Sequence, residues 1–142
     1  MPKSTSACNS ILALIFNATS WTGIARDSAA PIGNLYVSLH TATPGVGGAQ
    51  TTNEASYTNY VRVAVVRTTS GWVAPSSGAT SNAALIQFAQ SGSSQTITHV
   101  AIGTDSSGAG LVLYAGALNS SLAVASLIQP QFAIGDLDVT ET

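Results

Sequence analysis

Charge is the scarcest feature of this 142-residue chain. Four residues are basic (Lys3, Arg26, Arg62, Arg67) and six are acidic (Asp27, Glu54, Asp105, Asp136, Asp138, Glu141). Together they make 7% of the chain, against about 25% in an average soluble domain. Four scattered cations cannot neutralise a run of phosphates, which excludes a nucleic-acid partner. The net charge of −2 is too small to steer a partner from a distance. Cysteine is nearly absent: the single Cys8 cannot close an internal disulfide, and nothing argues for an oxidising compartment. Its one basic neighbour is Lys3, so a half-buried structural thiol is expected rather than a nucleophile. Long apolar runs are missing too. The longest, Ile11–Phe16, has six residues where a bilayer span needs about 20, so no membrane partner is expected.

The apolar share is an ordinary 45%. Disorder is therefore excluded, because disordered chains combine low hydrophobicity with high net charge. Neutral hydroxyls fill the place of charges: 19 Ser and 16 Thr. The length fits one β domain, expected at residues 23–142, preceded by an N-terminal segment or arm at 1–22.

The N-terminus mimics a signal peptide, with Lys3 ahead of the apolar stretch. That stretch is shorter than an h-region, and no small-x-small cleavage site follows closely. A short helix is expected instead. Ser4, Thr5 or Ser6 can cap it, and Ile11, Leu12, Ile15 and Phe16 recur at helical spacing.

After Trp21 the period changes to two. Leu35, Val37 and Leu39 alternate with Tyr36, Ser38 and His40, which predicts a half-buried strand. Thr43–Gly48 is a loop that reaches about Ser56. Tyr57–Thr69 is the longest strand candidate, with Val61, Val63 and Val65 on one face. Shorter strands are predicted at 83–89, 95–104, 111–117, 122–128, 131–134 and 137–140, with turns between them. About eight strands separated by frequent turn signals predict an all-β fold, an antiparallel sandwich or jelly roll, with no convincing helix beyond the N-terminal one.

Chemistry is thinly supplied. His40 and His99 are the only histidines. No G-x-S-x-G elbow accompanies them, so both are expected to be strand residues bridging apolar core and polar surface. Asp136 and Asp138 form a D-x-D pair. On a strand their carboxylates share a face about 7 Å apart, a weak metal signal; two acids near a chain end are usually solvated, and no metal is expected. The Gly-rich stretches at 45–48 and 108–110 lack the Lys and helix of a phosphate loop. Arg62 and Arg67 fall on opposite faces of a regular strand and form no patch. Trp21, Tyr36, Tyr57, Tyr60, Trp72 and Tyr114 are either sugar-stacking aromatics or core and interface anchors. No catalytic residue, cofactor or small-molecule substrate is expected.

Five segments in order carry a resemblance over roughly residues 35–140. They are Ser38-Leu39-His40-Thr41-Ala42 followed by Pro44-Gly45, then Tyr60-Val61-Arg62-Val63-Ala64-Val65, then Thr98-His99-Val100-Ala101-Ile102. Leu113-Tyr114-Ala115-Gly116-Ala117-Leu118 and Phe132-Ala133-Ile134-Gly135-Asp136-Leu137 complete the set. The sequence resembles a family of small tailed-bacteriophage virion proteins of the capsid-decoration or tail-fibre and tail-adaptor type. The loop departs from the family pattern, with Val46-Gly47-Gly48 where acidic residues are usual.

The resemblance implies a non-enzymatic virion protein assembled in the bacterial host cytoplasm. It recasts His40 and His99 as structural positions and Asp136 as a turn residue. The leading expectation is a cement protein on the capsid surface that binds the major capsid protein. The alternatives are a tail adaptor or fibre-base protein binding tail proteins, and a carbohydrate-binding module using Trp72. A homo-dimer or homo-trimer is expected. The interface candidates are Ile11, Leu12, Ile15, Phe16, Trp21 and Trp72. A neutral surface without Lys or Glu to guard strand edges favours assembly over catalysis.

Overall fold

The computed structural model describes residues 1–25, 27 and 30–142. Its one helix, α1 (Thr5–Asn17), begins where the sequence places a cap. The Ser4 hydroxyl oxygen accepts from the Ala7 N–H at 3.2 Å, which satisfies one of the free first-turn donors. The helix closes at Ala18, whose φ of 52° lets the Thr19 N–H reach back to the Ala13 carbonyl at 3.0 Å. Cys8, Leu12 and Phe16 form its buried stripe at i, i+4 and i+8. No described helix is long and apolar enough to cross a membrane.

The rest is β structure. The strands are β1 (Asn34–His40), β2 (Val63–Val66), β3 (Ala79–Ser81), β4 (Ile86–Gln87), β5 (Gln95–Gly103), β6 (Val112–Val124), β7 (Gln131–Phe132) and β8 (Asp138–Thr140). They form a four-stranded sheet in the order β2-β1-β5-β6 and two small sheets, β3-β8 and β4-β7. The fold is all-β with antiparallel sheets and one N-terminal helix, as expected.

Two compact units carry these elements. One comprises residues 1–34, 65–86 and 132–142, and the other 35–64 and 87–131. The units interleave along the chain, whereas the expected division is a single cut after residue 22.

In the first unit Phe16 meets Trp72 edge to face, with ring centroids 4.7 Å apart. Strand β3 pairs with β8 from Ala79↔Thr140 to Ser81↔Asp138. Asn82 is buried, and its side chain is fully used. The amide donates to the Ala84 and Ala133 carbonyls, and the oxygen accepts from the Leu137 N–H. The last turn of α1 contains no basic residue. Arg67 supplies one from far along the chain. Its guanidinium donates to the Leu14 and Ile15 carbonyls, both at 2.7 Å, and to the Ile32 carbonyl at 2.9 Å. A cation over orphan carbonyls at the negative helix end is favourable on both counts.

In the second unit β1 pairs with β5 from Tyr36↔Gly103 to His40↔His99. Leu35, Val37, Leu39, Tyr57, Phe88, Ile97 and Ile102 are buried there. Gln50 is buried in the same unit, and a Cβ on Gly103 or Gly110 would fall within 2.2 Å of its side chain. Only glycine fits at those two positions.

Three sequence expectations change. Tyr57–Thr69 shortens to β2, because Tyr60 and Arg62 turn inward and break the alternation, leaving Val61 exposed. The strands expected at 111–117 and 122–128 merge into β6. At Ser38 and His40 β1 is not half-buried: both polar side chains are enclosed.

Strand β6 is the edge of its sheet. It is guarded by irregularity rather than charge. Ile102↔Tyr114 and Gly103↔Val112 leave Leu113 as an extra residue, and Ile97↔Leu122 and His99↔Ala117 leave residues 118–121 opposite Thr98 alone. Such bulges twist an edge and interrupt the template it offers.

Truncating the enclosed indole tests the first unit's core. Trp72→Ala is expected to cost about 3–5 kcal/mol, read from the urea midpoint. Ile24→Ala, at an exposed position, is expected to stay within about 0.5 kcal/mol of the parent.

Candidate functional site

His40, at the end of β1, is the first place to look for chemistry. Its Nε2 lies 2.9 Å from the Ser38 hydroxyl, and its Nδ1 lies 2.9 Å from the Thr52 carbonyl. A carbonyl only accepts, so Nδ1 carries the proton and donates it, while Nε2 accepts from Ser38. The pair has the look of a nucleophile and its base. Two facts remove that role. The group orienting the imidazole is a backbone carbonyl rather than a carboxylate, and Ser38 and His40 are both 0% exposed. A nucleophile must reach a substrate atom, and this hydroxyl meets only protein. Burial pushes the His40 pKa below its ordinary value of 6.5, so the ring is held neutral.

His99 faces His40 across the strand pair and is half-buried, as expected. Its Nδ1 bonds the Thr98 hydroxyl at 2.8 Å, and that hydroxyl donates to the Thr41 carbonyl at 2.8 Å. Both partners are neutral.

Beside them lies the strongest electrostatic feature of the second unit. Arg62 grips Glu54 with two bonds, Nε to Oε1 at 2.6 Å and Nη2 to Oε2 at 2.7 Å. The same guanidinium donates to the Asp105 and Gly108 carbonyls, both at 2.8 Å. The Glu54 hydrogen bond, outweighing burial, holds the Arg62 pKa above its ordinary value. The Tyr60 hydroxyl donates to Glu54 at 3.1 Å and accepts from the Leu39 N–H at 3.0 Å. Burial pushes this phenol far above its ordinary range, so it does not ionise.

This network fastens two loops side by side. Gln50 donates from its backbone to the Gly110 carbonyl and accepts the Asp105 N–H on its side chain, both at 2.9 Å. Ala49 and Leu111 bridge. Asn53 donates to the Thr43 carbonyl at 2.9 Å. Val46 is exposed in one loop, Leu111 is exposed where the other turn rejoins the sheet, and Asp105 is exposed in that turn. Braced surface loops of this kind are where contacts to other molecules are usually carried.

The remaining candidates from the sequence lie elsewhere. Asp136 accepts the Ala133 N–H at 3.0 Å and closes a turn. Asp138 lies on β8 opposite Ser81. Among the described residues no group of three or more His, Cys, Asp or Glu gathers, so a metal at Asp136 and Asp138 would lack further side-chain ligands of those types. Leu12, Phe16 and Trp72 are 0% exposed. They build the first unit's core and present no surface to a partner. For the same reason Trp72 offers no face to a sugar ring. Ile11, Ile15 and Trp21 are half-buried.

Arg62, Glu54 and Gln50 carry no sequence motif that marks them as a site. The available signal is scarcity itself: with so few charges, an Arg inside an apolar strand pattern points inward to a partner. The surface carries the same signature. Between Arg67 and Asp136 the only charged residue is Asp105. Large apolar side chains stand exposed on both units, including Ile24, Leu85 and Ile134 on the first and Val61 and Leu127 on the second.

A family model described as podophage GP4 fiber I protein gp80 matches residues 2–140. No curated protein matches the chain.

Two measurements check the network. Arg62→Met leaves the Glu54 carboxylate unpaired and is expected to cost about 3–5 kcal/mol; adding Glu54→Gln should recover part of that loss. The second concerns pH. An unfolded His takes up a proton near its ordinary value of 6.5, while the native ring does so only at lower pH. Stability is therefore complete above that value and declines as pH falls below it. Urea midpoints taken from about pH 7 down to pH 5 should fall in the parent and fall less in His40→Asn.

Proposed function

The chain belongs to the podophage GP4 fiber I protein gp80 family, a family of tailed-phage virion structural proteins, and on that premise we propose that it is a fibre subunit of the phage tail. The carrying observation is the family match, which runs over residues 2–140 and so takes in both compact units. The interior supports the same reading. The Ser38–His40 pair is enclosed, and the bidentate Arg62–Glu54 ion pair is spent on bracing loops. The subunit works by binding, without bond chemistry. Its partners are further copies of itself and the tail proteins of the same particle.

The surface fits that role. An exposed, neutral face rich in Ser, Thr and single apolar side chains gains from being covered. It contributes nothing to long-range attraction. The family description favours a fibre over a capsid cement protein, for which the interior chemistry would be equally suitable.

Position in the particle decides between them. Gold-labelled antibody against this chain is expected to decorate the tail of purified virions, with few copies per particle. Labelling spread over the whole shell at high copy number would overturn the fibre reading in favour of cement.

A further inference from the structure

No further inference is drawn: the strongest candidate, the exposed apolar pair Leu85 and Ile134 in the first unit, each following a carbonyl that the buried Asn82 amide holds, is a surface patch, and nothing in the structure shows what covers it.

Discussion

One buried guanidinium braces each unit, and much of the polar architecture hangs on it. Arg62 joins Glu54 to the carbonyls of Asp105 and Gly108, so that a loop and a turn far apart in sequence share one cation. Arg67 does the same for the end of α1 and the carbonyl of Ile32, with Asp27 beside it. An arginine suits both places because its planar fork offers several fixed donors and stays charged when enclosed. A lysine could satisfy one carbonyl; it could not span three segments. Irregular segments need this help, since their backbone carbonyls lack a ladder or helix to accept for them.

That arrangement also explains which parts of the structure can be read from the sequence. Strand β5 follows from alternation alone, almost to the residue, because both of its neighbours are strands and its side chains obey the pleat. The helix follows from a Ser cap and an apolar spacing of three and four. The segment from Tyr57 to Arg67 does not, because its side chains serve two different units. Tyr60 and Arg62 turn toward the Glu54 network, Arg67 turns toward α1, and only Val63–Val66 remains as strand. Strand β6 is similarly opaque. Its bulges keep one strand running where the turn-like residues Asn119, Ser120 and Ser121 suggest a break. The loop-bracing site hid for the same reason: Glu54, Gln50 and Asp105 become neighbours only through sheet register.

The Ser38–His40 pair shows why residue type and distance alone do not make a catalytic group. Its geometry resembles a general base and its nucleophile, yet enclosure denies it a substrate and a backbone carbonyl takes the place of the orienting acid. What the pair achieves is satisfaction of polar groups on a strand buried on both faces, where each unpaired group would cost stability. The polar chemistry of this pair is thus committed to holding shape.

A surface with so little charge changes how partners are told apart. Like-charge repulsion, the usual means of rejecting wrong contacts, has almost nothing to act through between Arg67 and Asp136. Discrimination must then come from shape and backbone geometry. One device of that kind is present: the bulges of β6 interrupt the regular edge that any other strand could join. Contacts specified in this way depend little on salt, since no screened charge contributes to them.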